Sequence, residues 1–194
     1  MKIIPFQDFI RRYFSGEEFV VFDTETAGLN TYHDEIIEVG ATIWTKDGAK
    51  DSFQEVMYVH ENRISPGARA VHKIEQSEIN KARQPKEVLA DFVKFCGKRV
   101  LIAHNIRFDY PMLNSNLIRH GLLPYPNDEV ACTLAYAKEQ QLPGKLSELA
   151  RHYRVATEGD SLHRALYDVK VTTKVLSKVM KENEPSNLQY SLII

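Results

Sequence analysis

The chain has 194 residues, 43% hydrophobic and 26% charged, which suits one domain with a substantial core and leaves little for a second. Lysine and arginine total 25 against 26 aspartates and glutamates, so a global basic excess is excluded and any polyanion must be gripped locally or delivered by another protein. The two cysteines, Cys96 and Cys132, form no Cys-x-x-Cys pair and argue against a zinc site or a disulfide framework. A reducing, cytoplasmic setting with no membrane segment is expected.

In chain order, Phe6, Phe9, Ile10, Tyr13 and Phe14 recur at helical spacing and predict a short amphipathic helix over 5–14, packed on the outside of the domain. It belongs to a lead-in, 1–18, ahead of a main domain over 19–182 and a tail over 183–194. Phe19-Val20-Val21-Phe22 reads as a strand buried on both faces. A second strand is predicted over 35–44, a hairpin turn at Lys46-Asp47-Gly48 and a third strand over 53–59, giving three adjacent antiparallel strands. Short helical pieces around Pro66-Gly67 follow, with Ser65 as cap, then a helix over 86–95 stopped by Gly97. Val100-Leu101-Ile102-Ala103 is a fourth strand. Pro111 predicts the first turn of a helix running to His120, and Val130-Ala131-Cys132-Thr133 a fifth strand. Helices are then expected over 134–138, 145–153 and 165–181. The fold class is therefore α/β, a mixed five-stranded sheet flanked by helices.

Polarity switches abruptly where the first strand gives way to Asp23-Thr24-Glu25. In a strand, Asp23 and Glu25 project from one side and Thr24 from the other. Two like charges so close are kept ionised by a divalent cation, and oxygen-only ligands favour Mg²⁺ or Mn²⁺. Taken alone the pair also suits a solvated strand terminus. Two further features supply partners. Asp109 lies near a helix N-terminus after the fourth strand, where a carboxylate is favoured. Asp168 stands among the core positions Leu166, Val169 and Val175 of the last helix, a charge that also calls for a cation. His163 falls just ahead of that helix, placed to act as a base.

Asp23-x-Glu25, His104-Asn105-x-x-Phe108-Asp109 and His163-x-Ala165-x-x-Asp168, in that order, resemble the three motifs of the DEDDh 3′→5′ exonucleases. This ribonuclease H-like group includes the proofreading ε subunit of bacterial DNA polymerase III. The likeness extends from about Phe19 to Lys181 and takes in the run from Tyr32 to Gly40, with Ala27 standing where many members carry a second threonine. The resemblance implies that Asp23, Glu25, Asp109 and Asp168 hold two Mg²⁺ or Mn²⁺ ions, that His163 is the general base, and that Thr24, Thr26, Leu29, Asn105 and Phe108 lie beside the terminal nucleotide. The implied reaction releases nucleoside 5′-monophosphates from single-stranded 3′ ends, DNA favoured over RNA, in proofreading or repair alongside a DNA polymerase. An exoribonuclease of the same fold and a weakly active nucleic-acid-binding subunit are the alternatives. In the apolar tail, Gln189-Tyr190-Ser191-Leu192-Ile193 resembles peptides that bind the sliding clamp, with Ile193 in place of the usual aromatic; packing of the tail on its own domain is the other reading.

Overall fold

Residues 1–157 and 164–185 are described by the computed structural model. Its sheet is six-stranded, not five-stranded, in the order β1-β6-β5-β2-β3-β4. The expected antiparallel trio is β2 (Phe19–Thr26), β3 (Ile36–Thr45) and β4 (Gly48–Val56). Strands β5 (Val100–Ala103) and β6 (Glu129–Cys132) add in parallel on the other side of β2. The unforeseen strand is β1 (Lys2–Ile3), which pairs in parallel with β6. Two residues carry no period, so a strand this short leaves no sequence signal.

Helices cover both sheet faces because β2 alternates between them. Val20 and Phe22 join the core formed with α4 (Pro85–Cys96) and α5 (Ile106–Arg119). Phe19 and Val21 face α1 (Phe6–Phe14) and α8 (Ala165–Glu182). Around this frame lie α2 (Pro66–His72), α3 (Gln76–Lys81), α6 (Thr133–Glu139) and α7 (Leu146–His152). No helix among the described residues is long and apolar enough to cross a membrane.

Three expectations change in detail. Helix α1 is not merely laid on the outside: Phe9 is fully buried, and Tyr13 stacks on the fully buried Trp44 with ring centroids 4.4 Å apart. A fully buried aromatic of this kind contributes about 2 kcal/mol, so the lead-in helix closes one core. Strand β4 starts directly at the Gly48 turn, five residues before the predicted start, because its exposed Lys50, Asp51 and Ser52 conceal an edge strand. Helix α5 begins at Ile106 behind Asn105, whose φ of 77° is left-handed, and Pro111 lies inside it. The amide that Pro111 lacks would have bonded the carbonyl of Arg107, which is on the exposed side, so the loss is tolerated. Ser65 caps α2 as expected, its Oγ accepting from the Ala68 amide at 3.1 Å.

Candidate active site

The C-terminal end of β2 meets the first turn of α8, and there three carboxylates gather. Asp23 and Glu25 share the α8 side of the sheet, and one oxygen from each lies within 4.8 Å of one from Asp168 and of the other. All donors are carboxylate oxygens, the set that suits a small hard divalent cation. Burial, before anything else, pushes Glu25 up to about 8, with the charges of Asp168, Glu38 and Asp109 adding and Arg164 opposing. Asp23 is likewise held well above the usual carboxylate range, first by burial and then by Asp109, Glu25 and Asp168. A cation in this position would let the group ionise, so the residues fit a divalent metal.

Strand β3 brings α8 this close. Gly40 is paired with Asp23, and a Cβ there would collide with the backbone of Ala165 and Leu166. Two residues earlier, Glu38 is fully buried opposite Glu25. Its carboxylate accepts from Arg164 Nη2 at 2.8 Å, Gln54 Nε2 at 2.7 Å and the Ala165 amide at 2.9 Å. Glu38 thus caps the N-terminus of α8 from another element, satisfying an amide that the helix itself leaves without an acceptor. Arg164 also reaches Glu78 of α3 at 3.0 Å. The start of α8, and with it Asp168, is fixed by an ion pair to a buried glutamate and by a glycine contact.

Asp109 arrives from the other side of the sheet. It sits in the first turn of α5, buried, and accepts from Thr24 Oγ at 2.8 Å. Burial raises it to about 7 although the Thr24 hydrogen bonds pull the other way. It is outside the 4.8 Å trio, yet its charge acts on both Asp23 and Glu25. His104, at the end of β5, bridges Thr133 Oγ and the Gly144 carbonyl, each at 2.8 Å. The carbonyl only accepts, so Nε2 carries the proton and Nδ1 accepts from the threonine. Burial lowers the ring's pKa, which keeps it neutral in this structural role.

Comparison with known proteins gives this constellation its place. Residues 20–176 match the exonuclease family model RNase_T. The chain belongs to this exonuclease family. It is a nuclease hydrolase, and the DEDDh resemblance holds. Two similar curated relatives are DNA polymerases III of the PolC type, from Clostridium perfringens (35% identical over 171 residues) and Lactococcus lactis (30% over 180). The alignments cover 86% and 91% of this chain but only 12% and 11% of those polymerases. Among solved structures, exonuclease I of E. coli in complex with a dT13 oligonucleotide superposes with a TM-score of 0.73 at 18% identity, covering 90% of this chain and 43% of that one. The nuclease domain of 3′hExo, a DEDDh family member bound to rAMP, also gives 0.73 at 18% identity, with 86% and 93% covered. At such identity these superpositions establish the shared fold.

Within the exonuclease, the other predicted residues divide by placement. Leu29 is 85% exposed and borders a groove of about 350 Å³ with Glu25, Thr26, Ser65, Ala68 and Val71. Thr26 is buried at the groove wall and donates to the Gly28 carbonyl at 2.8 Å. Thr24 faces Asp109, which takes its hydroxyl. Asn105 is exposed at the left-handed corner before α5, and Phe108 is half-buried against the core. His163 and the tail segment 189–193 lie outside the described residues. Sequence reasoning missed Glu38, Gly40 and Arg164. The signal was present, since Glu38 is the one charged residue in a strand that is buried from Ile36 to Trp44.

Proposed function

We propose that this chain is a 3′→5′ exonuclease that releases nucleoside 5′-monophosphates from single-stranded DNA, in proofreading or repair. The observation that carries the reading is the trio Asp23, Glu25 and Asp168, drawn from two elements to within 4.8 Å, with Glu25 also lining a groove whose walls are partly apolar. In this reading Asp23, Glu25, Asp109 and Asp168 hold two Mg²⁺ or Mn²⁺ ions. When bound, such ions supply the positive charge that makes a phosphodiester attackable by water at neutral pH. The chain's own part is positional. Asp23 and Glu25 come from a rigid central strand, Asp168 from a helix seated by Glu38 and Gly40, and Asp109 from a helix on the opposite face oriented by Thr24.

His163, immediately before Arg164, is assigned the general base; an imidazole titrates near neutrality and suits the removal of a proton from the attacking water. Leu29, which lines the groove together with Val71, is assigned to the terminal base, with Thr26, Thr24, Asn105 and Phe108 shaping the pocket. The net charge of −1 gives no general hold on nucleic acid, which fits a nuclease that is presented with its substrate. A cytoplasmic DNA polymerase is the proposed partner, because the similar curated relatives are themselves replicative polymerases. Contact with a sliding clamp through Gln189-Tyr190-Ser191-Leu192-Ile193 is a separate proposal, tested by deleting 188–194 and measuring clamp affinity.

Matched 5′-labelled DNA and RNA oligonucleotides, incubated with Mg²⁺ or Mn²⁺, test the reading. A ladder shortening from the 3′ end of DNA, abolished by EDTA and by Asp168→Ala, is the expected result. Faster digestion of RNA would transfer the reading to an exoribonuclease, and no digestion of either would overturn the enzymatic role.

A further inference from the structure

The segment between β2 and β3 is held in an unusual manner. Its two large apolar side chains, Leu29 and Tyr32, are 85% and 73% exposed, so little apolar packing from them fixes the loop. Its backbone is instead clamped through its carbonyls. Arg119 donates through Nη2 to the Tyr32 carbonyl at 2.7 Å and through Nη1 to the Asp34 carbonyl at 3.0 Å. Asn116 donates to the same Asp34 carbonyl at 3.1 Å and accepts from the Ile36 amide at 3.2 Å. Arg63 reaches the His33 carbonyl at 3.2 Å. Buried Glu35 neutralises the clamp, lying 3.5 Å from Arg119, 3.1 Å from Arg63 and 3.2 Å from His120.

Both Arg119 and Asn116 belong to α5, the helix that carries Asp109 in its first turn. Ten residues of helix separate Asp109 from Arg119, about 15 Å of rise. One rigid element therefore grips the loop at one end and delivers a site carboxylate at the other. Holding a loop in one conformation costs about 1–2 kcal/mol per residue in backbone entropy, and bidentate guanidinium bonds to its carbonyls are a strong means of offsetting that. Gly28 shows how tightly the loop folds, since a Cβ there would collide with the carboxylate of Asp34.

We propose that Arg119 is a positioning residue that sets Leu29 against the substrate's base by clamping the 28–35 loop to α5. The inference rests on the exonuclease reading above and deepens it. A fork holding two carbonyls two residues apart fixes both the height and the tilt of the loop, which a single ammonium cannot do. Loss of the fork leaves the carboxylates in place and lets Leu29 wander, so substrate affinity falls while the metal site is unchanged.

The test is a double-mutant cycle on binding. Affinity for a 5′-fluorescein-labelled single-stranded DNA oligonucleotide is measured by anisotropy in Ca²⁺, which requires no turnover, for the unaltered protein, Arg119→Gln, Leu29→Ala and the pair. Each single change is expected to weaken binding about tenfold, the scale of one apolar side-chain contact, and the pair no more than either alone. Arg119→Lys should recover only part of the loss, and Mn²⁺ affinity by calorimetry should be the same in all variants. Additive losses, unchanged affinity in Arg119→Gln, or a parallel loss of Mn²⁺ binding would overturn the proposal. If the unaltered protein binds the oligonucleotide but releases no mononucleotide, the nuclease reading fails while the cycle still reports on the clamp.

Discussion

Two groups of carboxylates lie on or beside the paired strands β2 and β3, and the chain treats them in opposite ways. Glu35 and Glu38 are met by cations of the protein itself, Glu35 by Arg63 and Arg119, with the His120 ring 3.2 Å away, and Glu38 by Arg164. Asp23 and Glu25 are governed by burial and by the charges of neighbouring acids, which raise both. Arginine is available to this region, and its guanidinium is nevertheless directed at Glu38, leaving only a distant lowering influence on Glu25. The first group organises the scaffold. The second has its carboxyls raised by their surroundings and suits a divalent cation, a pattern that perturbed acids at functional sites commonly show.

Neutralising an acid of the second group should cost activity without costing fold. Asp23→Asn is expected to lower the rate of 3′ release at least about 100-fold, while its melting temperature in EDTA stays at or above that of the parent. A variant equally inactive but markedly less stable would erase the distinction drawn between the two groups. Removing an acid of the first group should do the reverse. Glu38→Ala leaves the Ala165 amide and the Gln54 amide group without their acceptor and Arg164 with Glu78 alone, and denaturant unfolding should show a loss of about 1–3 kcal/mol.

Metal dependence sharpens the contrast through pH. Glu25 is raised from an ordinary 4.5 to about 8, and Asp109 from 3.8 to about 7. Between those limits the folded state keeps protons that the unfolded chain has released, so stability in EDTA is fully present below about pH 4 and falls as pH rises toward 8. The slope approaches about 1.4 kcal/mol per pH unit for each group. Saturating Mn²⁺ should flatten or reverse it, because ionised carboxylates then have a partner. Melting curves from pH 5 to 8, with and without metal, check this; a flat profile in EDTA would mean that the raised values are not those of the folded protein.

Smaller effects test the scaffold behind the site. Gly40→Ala should push α8 off the sheet at a cost of about 1–3 kcal/mol and reduce activity by moving Asp168, measurable as a fall in both melting temperature and kcat. Thr24→Val removes the hydroxyl bound to Asp109 and should cost about 1 kcal/mol, with the acid limb of the pH–rate profile displaced upward. An unchanged profile would place Asp109 outside the reaction.

Much of this could be read from the chain. The alternation that puts Asp23 and Glu25 on one side of a strand needs only the period of two, and Asp168 was conspicuous as a charge among core positions. The antiparallel trio followed from the turn at Lys46-Asp47-Gly48. What escaped had physical reasons. Strand β1 is too short to show a pattern, and Pro111 suggested a helix start because proline favours the first turn, whereas α5 gains its first turn from the corner at Asn105. Nothing in the chain marks Trp44 as core; its full burial against Phe9, Tyr13 and Phe19 places it there. The Arg164–Glu38 pair and the Arg119 clamp join residues 126 and 85 or more positions apart, distances over which side-chain pairing leaves no local periodicity. Asp109 was placed near a helix start, but its approach from the opposite sheet face depends on the packing of α5.

The two outer strands carry a consequence for how the molecule meets other proteins. At one edge β1 offers only two residues, and at the other β4 turns Lys50, Asp51 and Ser52 to solvent. Neither edge is a long, flat, apolar ladder onto which a further strand could add, and charged or very short borders are how sheets avoid self-association. Any protein partner would therefore engage side chains, helices or loops and leave the sheet itself unextended, and concentrated solutions of the enzyme should resist conversion into β-rich aggregates.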